Sequence, residues 1–304
     1  MKTVFFIIFI CSVAVNGATD AVCSICGVVS SGALTYKKAA LFAGVMNFAG
    51  LFVFAHIYPS VAKNVSFLGE GGIKEGIAVL LSVVVWSSCA WLLSIPTSES
   101  HGLLGAVAGA MLAKEGRFVV EPVILSVEGA MLSAVFGALL AAALAVVLKK
   151  VGLKGRLGAV MGCGASAFFH GAQDGQKFLA VAVSFGLLTE STLSVVAVAS
   201  VMLVGTLVGG RKMVTRVGER MTRLSYASSV ASDAGCALSL LLVTLLGLPA
   251  STTHTKTCSI AGAALLSGER VDKKELAEIT VGWVLTVPAC MLLSFYITKG
   301  LILM

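Results

Sequence analysis

The sequence predicts an all-α polytopic membrane protein with two inverted-topology repeats, broken helices and two re-entrant helical hairpins. Hydrophobic residues make up 58% of the 304-residue chain and charged residues only 12%, with a mean hydropathy of +0.99. This composition is typical of a polytopic membrane protein and excludes a soluble domain of this length. Two further observations support the prediction: some apolar segments are too short to span a bilayer, and two polar motifs recur along the chain.

Ten apolar segments define the elements in chain order, and the first and sixth are interrupted. They cover residues 4–34, 39–58, 77–94, 102–113, 122–148, 157–190, 192–208, 224–247, 256–267 and 277–298. A spanning helix needs about 20 residues, so 102–113 and 256–267 are too short to cross alone. Each follows a longer segment across a proline-containing break, which is typical of a hairpin that enters the membrane and turns back.

The first segment also resembles a signal peptide, because Met1–Val15 combines one lysine with an apolar run. No good small-x-small cleavage site follows it, and the run leads directly into the polar motif Gly17–Asp20. Since that motif has a counterpart later in the chain, we expect this segment to be a retained first helix.

Two polar motifs recur at nearly the same offset. Gly17–Asp20 corresponds to Gly171–Asp174, an offset of 154 residues. Pro96–His101 corresponds to Pro249–His254, an offset of 153 residues. Because two unrelated motifs share one offset to within a residue, the sequence predicts an internal duplication.

The basic residues orient the two predicted halves, 1–148 and 157–304. The positive charge is concentrated in a linker at 149–156 and a loop at 211–223. Such clusters in a membrane protein favour cytoplasmic placement, not nucleic-acid binding. An even number of crossings then separates the two loops, and a re-entrant first hairpin places the N-terminus outside. The halves start on opposite sides, so the predicted repeat is inverted.

Each predicted half contributes one aspartate within an apolar segment, Asp20 or Asp174. An ionisable group at the bilayer centre costs about 2.5–3.5 kcal/mol on insertion scales, so each should face a partner, an ion or a water-filled cavity. Neighbouring glycines let backbone carbonyls turn out of helical geometry. Carboxylate and carbonyl oxygens together form a ligand set for a hard cation.

The hairpin tips contribute hydroxyl side chains, namely Ser98, Ser100, Ser251, Thr252 and Thr253. An oxyanion needs several hydrogen-bond donors, and a half-helix N-terminus adds free amides and partial positive charge. Hydroxyls in membrane helices often bond back to their own carbonyls, so each alone has a structural interpretation. Their duplication beside duplicated aspartates favours ligand binding, in the manner of a secondary transporter.

Other polar residues in apolar segments receive plainer interpretations. We expect His101 and His254 to support the hairpin tips through hydrogen bonds, and His56 and His170 to be packing or helix-end residues. Two lysines either attract an anion or extend toward the membrane surface, Lys177 and Lys256. Three acidic residues have no clear partner in the sequence, Glu128, Glu190 and Asp233.

At these motifs the sequence resembles the inorganic phosphate transporter family called PiT, whose signature is roughly G-A-N-D in each half. The family's hairpins read close to P-V-S-T-T-H, and Gly247–Thr255 is a close match. Gly209–Lys212 also looks like the family's second-half loop. The resemblance runs nearly end to end. It implies a homodimeric plasma-membrane transporter, embedded in the lipid bilayer, that takes up inorganic phosphate with Na+ or H+.

The resemblance also implies roles for individual residues. Asp20, Asp174 and Thr19 carry over as ligands of the transported cation. The implied substrate ligands are Ser98, Glu99, Ser100, Ser251, Thr252, Thr253 and Gln173. No metal or cofactor is implied beyond the transported Na+ or H+.

The chain departs from the family pattern at four positions. Thr19 and Gln173 replace the signature asparagines, Cys23 replaces a further asparagine, and Glu99 replaces a hairpin threonine. These departures leave the coupling ion open, and leave a sulfate or other oxyanion permease as the alternative. Phosphate near neutral pH keeps an O–H that sulfate lacks, so Glu99 can select phosphate by accepting that hydrogen bond. The alternative is that Glu99 caps the helix that follows it.

Two other classes of protein compete with a transporter. An intramembrane hydrolase would use Ser251 or Ser98 as a nucleophile with a histidine and an aspartate. The twofold repetition of the whole constellation fits a symmetric transport cycle better than one asymmetric active site. Paired broken helices with carboxylates also suit alternating access better than a channel. We therefore predict a transporter that is not an enzyme.

Overall fold

The computed structural model describes residues 1–64, 72–116, 120–151 and 155–303, and within these ranges the secondary structure is helical. The helices of the first half are α1 (Lys2–Thr19), α2 (Cys26–Ser30), α3 (Tyr36–Ile57), α4 (Ser60–Asn64), α5 (Ile73–Leu92), α6 (Glu99–Glu115) and α7 (Glu121–Val151). Those of the second half are α8 (Arg156–His170), α9 (Gln176–Ser184), α10 (Thr192–Val208), α11 (Arg211–Thr215), α12 (Tyr226–Leu245), α13 (Thr252–Ser267) and α14 (Lys273–Leu303).

The first helix of each half is broken at its polar motif. A 3₁₀ turn, Ala21–Ile25, separates α1 from α2 directly after Asp20. A π-helical turn, Gly171–Gly175, separates α8 from α9 and contains Asp174. Departures from α-helical hydrogen bonding leave backbone groups and side chains aimed differently from those of a regular helix, and π turns are frequent at functional sites. Both predicted interruptions are therefore confirmed.

Among the described residues, six helical segments are long and apolar enough to cross a membrane, which confirms a multi-pass protein. They are 2–30, 36–57, 73–92, 127–151, 226–245 and 273–303. A seventh candidate combines α10 with the segment 211–220, which is bent from it by 62°. The 17-residue α6 and the 16-residue α13 are shorter and follow the proline-containing breaks, as predicted for the hairpins.

The duplication extends to details of the backbone. Left-handed positions recur in equivalent places, Gly32 with Gly186, Ser94 with Gly247, and Gly116 with Gly268. In both hairpins a serine side chain caps the short helix: Ser98 accepts from the His101 amide, and Ser251 from the His254 amide. The turns and helix caps are thus repeated, as are the sequence motifs. The boundaries 1–148, 149–156 and 157–304, and the cytoplasmic side of the linker, stay predictions.

The two halves interlock because equivalent helices of each half pack on the other half. Helix α1 packs on α10 while α8 packs on α3, and α6 packs on α14 while α13 packs on α7. Glycines permit this close approach: a Cβ added at Gly109 would lie 2.0 Å from the Met291 carbonyl oxygen, and one added at the equivalent Gly262 would lie 2.4 Å from that of Ala138. Small residues at helix crossings are the usual means of close packing in membranes. Each half therefore completes the other's helix packing.

Gly109→Ala is expected to lower thermal stability, because the added methyl group must push α6 away from α14. Overpacking of this kind costs about 1–3 kcal/mol. Thermal unfolding of the purified protein in detergent measures the effect. Gly300→Ala is the matched control, since a Cβ there meets no atom of the described residues within 4 Å. Equal melting temperatures for the two variants would contradict the close packing.

Candidate functional site

The predicted site residues of the two halves meet in the interior. Each is at most 9% exposed. The Asn16 amide, on α1, donates to Asp174 Oδ2 of the second half at 3.2 Å, so the two broken helices touch at their motifs. The hairpin tips also touch, because the Ser100 hydroxyl donates to the Ala250 carbonyl oxygen at 3.0 Å. The interlocked fold therefore assembles one polar cluster from four segments.

Asp174 is the most heavily bonded carboxylate of this cluster. Its Oδ2 atom accepts hydrogen bonds from Asn16 Nδ2 at 3.2 Å and Thr252 Oγ1 at 3.0 Å. His170 Nε2 lies 3.2 Å from the same oxygen. Its Oδ1 atom pairs with the Lys177 ammonium at 2.8 Å. Because both oxygens have partners, the second-half aspartate is compensated by the protein's own side chains.

Asp20 is bonded much more sparsely. Its Oδ2 atom accepts from the Glu99 backbone amide at 3.3 Å, at the N-terminal end of α6. Glu99 Oε1 accepts from the Thr19 hydroxyl at 3.1 Å. Within the described residues, four buried oxygens have no hydrogen-bond partner here: Asn16 Oδ1, Asp20 Oδ1, Glu99 Oε2 and Thr253 Oγ1. Such unsatisfied buried oxygens in a native fold call for an explanation, and a ligand is one.

Asp20, with few hydrogen-bond partners, and Asp174, with many, occupy equivalent positions of the repeat. Asn16 and His170 each lie four residues before their aspartate, at the offset of 154 that also relates Asp20 to Asp174. Asn16 presents an amide oxygen, whereas His170 presents a ring nitrogen 3.2 Å from its aspartate. The first-half site is therefore lined mainly by oxygen atoms, and the second-half site holds nitrogen donors. Sequence reasoning missed Asn16, although it directly precedes the recognised motif.

The predicted substrate ligand Gln173 is hydrogen-bonded at both ends of its side chain. Its amide nitrogen donates to Thr244 Oγ1 at 2.9 Å and to the Leu248 carbonyl oxygen at 3.2 Å. Its amide oxygen accepts from the Ala250 amide at 3.2 Å. Both ends of the side chain are thus bound to the loop before α13. Gln173 therefore joins the second hairpin tip to the broken helix, and its role as a substrate ligand stays a prediction.

The histidines behave partly as predicted. His254 Nδ1 lies 2.5 Å from the Ser251 hydroxyl, and its ring stacks on Trp283 at 3.8 Å between centroids. The His101 ring lies 4.7 Å from that of His254, so the pair joins the two hairpin tips. His254 thus makes a hydrogen bond of the expected kind, His101 Nδ1 has no partner among the described residues, and the supporting role of the pair stays a prediction. His170 is not merely a packing residue, because it contacts Asp174 and its Nδ1 lies 2.9 Å from Asn47 Oδ1.

A second buried ion pair connects α12 to α13. The Lys256 ammonium donates to Asp233 Oδ1, and both side chains are almost fully buried, with 2% and 0% exposed. Neither residue extends to the surface, contrary to one of the expectations for Lys256. No local sequence pattern indicates this pair, because its members lie 23 residues apart on different helices.

Lys256→Met is expected to destabilise the protein by about 3–5 kcal/mol, because it leaves the Asp233 carboxylate buried without a counter-charge. The double variant Asp233→Leu/Lys256→Met removes both charges and should recover most of the loss. Thermal unfolding of the purified variants in detergent distinguishes the two cases. A single variant as stable as the wild type would show that the pair contributes nothing to the fold.

These features define a class of protein: a membrane transporter with two interlocked repeats and a polar site between their broken helices and hairpins. The comparisons with known proteins agree and are more specific. A family model described as the phosphate transporter family matches residues 16–158 and again residues 155–294. The chain therefore belongs to the phosphate transporter family. The two successive matches agree with the internal duplication, and membership confirms the prediction that the chain is not an enzyme.

Several similar proteins align with nearly the whole chain. A probable low-affinity inorganic phosphate transporter of Rhizobium meliloti is 30% identical over 308 residues, covering 92% of this chain and 90% of the relative. A protein of Bacillus subtilis with the same description is 28% identical over 311 residues, covering 93% and 92%. A solved structure titled "The sodium-dependent phosphate transporter" superposes with a TM-score of 0.84 at 18% identity, covering 100% of this chain and 99% of that one. The likeness confirms the predicted fold.

Proposed function

We propose that the protein takes up inorganic phosphate across the plasma membrane by symport with a cation, Na+ in the first instance and H+ as the alternative. Membership of the phosphate transporter family and the descriptions of its relatives support phosphate as the substrate. The sodium-dependent neighbour supports Na+ as the coupling ion. The observation that carries the proposal is the unpartnered Oδ1 atom of the buried Asp20 carboxylate, together with unpartnered buried oxygens on the neighbouring side chains of Asn16, Glu99 and Thr253. As the resemblance implies, the protein acts as a homodimer in the lipid bilayer.

Three of these oxygens suit a transported cation. Asp20 Oδ1 supplies a negative charge, while Asn16 Oδ1 and Thr253 Oγ1 supply neutral oxygen ligands. Carboxylate, amide and hydroxyl oxygens are the ligands that hard cations prefer. The three residues belong to α1, the turn after it and the second hairpin. A cation bound there joins elements of both halves, so its binding can be coupled to their rearrangement.

The hairpin tips suit the phosphate. Helices α6 and α13 both begin at the cluster, and the His101 and His254 rings near their first turns lie within contact of each other. Helix N-termini offer free amides and partial positive charge, which favour an oxyanion. Ser98 and Ser251 occupy the N-cap positions, and Ser100, Thr252 and Thr253 lie in the first turns beside them. The cation at Asp20 would reduce the charge that accompanies phosphate into the membrane.

Asp20→Asn is expected to abolish concentrative phosphate uptake, because it removes the charge that attracts the cation while keeping the side-chain shape. Radiolabelled phosphate uptake into proteoliposomes, driven separately by an inward Na+ gradient and by a proton gradient, measures the effect and identifies the coupling ion. Asp272→Asn makes the same change in the loop before α14 and should leave uptake intact. Wild-type uptake by Asp20→Asn would exclude this cation site.

Glu99→Gln is expected to reduce the preference for phosphate over sulfate. In the wild type, the unpartnered Oε2 atom of Glu99 can accept a hydrogen bond from a phosphate O–H, whereas the carboxylate repels sulfate. A charge-assisted hydrogen bond contributes about 1.5–3 kcal/mol, which corresponds to roughly a tenfold or larger change in preference. Competition between the two labelled anions in proteoliposomes measures the ratio. An unchanged ratio would exclude a role of Glu99 in selectivity and would favour its role as an acidic residue at the N-terminal end of α6.

A further inference from the structure

The site departs from the symmetry of the repeat at the lysine that follows the second-half motif. Lys177 lies three residues after Asp174, and its counterpart in the repeat is Cys23, three residues after Asp20. The Cys23 thiol donates to the Thr19 carbonyl oxygen of its own helical turn at 3.4 Å. The second-half site therefore holds a fixed ammonium group that the first-half site lacks at the equivalent position.

The ammonium of Lys177 has the surroundings of a bound cation. It lies 2.8 Å from Asp174 Oδ1, 2.6 Å from Ser100 Oγ and 2.5 Å from the Ala250 carbonyl oxygen. These ligands are a carboxylate, a hydroxyl and a backbone carbonyl, and they come from the broken helix and both hairpins. Lys177 is only 4% exposed, so the side chain does not extend toward a membrane surface. Its whole charge is placed within the site.

We propose that the ammonium of Lys177 replaces a transported cation at the second-half aspartate. The protein then moves one cation fewer per phosphate than a transporter that binds a cation at both aspartates. A buried carboxylate needs a counter-charge, and a lysine fixed by the chain supplies it without a binding event. Among the described residues Asp20 forms no ion pair with a lysine and retains an unpartnered oxygen, so it keeps the need for a mobile cation. This inference rests on the proposed transport function.

Binding of Na+ at Asp174 is tested without phosphate in an Asp20→Asn background, which removes the first-half carboxylate. The Asp20→Asn protein should melt at the same temperature in NaCl and in choline chloride of equal ionic strength. Asp20→Asn/Lys177→Asn should melt at a higher temperature in NaCl, with a shift that saturates with Na+ concentration, because ligand binding to the native state stabilises it. A folded double variant with no Na+-specific shift would overturn the proposal.

Two controls separate cation binding from the loss of a buried ion pair. Asp20→Asn/Lys256→Asn removes the other buried lysine from its pair with Asp233, and it should lose stability equally in both salts. Adding Asp174→Asn to Asp20→Asn/Lys177→Asn should abolish the Na+ shift, because the carboxylate is gone. An equal Na+ shift in the Lys256→Asn control would overturn the assignment to Asp174.

The wild-type protein provides a second test if the Lys177→Asn variants do not fold. Phosphate uptake into proteoliposomes should depend on the coupling cation with a Hill coefficient of one, since only the first-half site binds a mobile ion. A coefficient of two would overturn the proposal. Failure of the proposed function gives a different result, namely no phosphate uptake by the wild type in any gradient, whatever the melting experiments yield.

Discussion

The need to neutralise carboxylates inside an apolar bundle governs this structure. Asp20, Glu99 and Asp174 are each less than 5% exposed, where an uncompensated charge is costly. The protein meets this need differently at each one. Among the described residues, Asp174 has an ammonium and three further groups within hydrogen-bonding distance, Glu99 accepts from one hydroxyl, and Asp20 accepts from one backbone amide. The compensation therefore decreases from Asp174 to Asp20, and the proposed ligand would bind where it is weakest.

That distribution depends on how the halves are packed. Neither half encloses a site alone, because Asp174 of the second half receives Asn16 of the first, and Lys177 reaches the hairpin tip of the first. Glycines at the helix crossings bring the backbones close enough for these short side chains to meet. A ligand at Asp20 would contact both halves at once. Binding and the relative position of the halves are therefore coupled by the same contacts that build the fold.

The duplicated sequence gives symmetric elements but not a symmetric site. Glu99 and Thr252 occupy equivalent hairpin positions, yet the threonine hydroxyl donates to its aspartate while the glutamate contacts Asp20 through its backbone amide. In the proposed arrangement, differences of this kind place a fixed charge at Asp174 and leave Asp20 available for a mobile ion. In a transporter, the number of mobile ions sets how steeply a solute can be concentrated, so such substitutions alter energetics while leaving the fold intact.

The sequence by itself determined the helical membrane fold, the two halves, the broken helices and the hairpins. These follow from local quantities: the length of apolar segments, the placement of glycine and proline, and the shared offset of two motifs. It also located Asp20, Asp174 and the hairpin hydroxyls. Only the tertiary structure decided which polar atoms pair. It assigned Gln173 to the hairpin backbone, joined Lys256 to Asp233, and placed Lys177 against Ser100 and Ala250 of the two hairpins. Such pairings depend on distances between residues on different helices, and no local pattern in a chain encodes those distances.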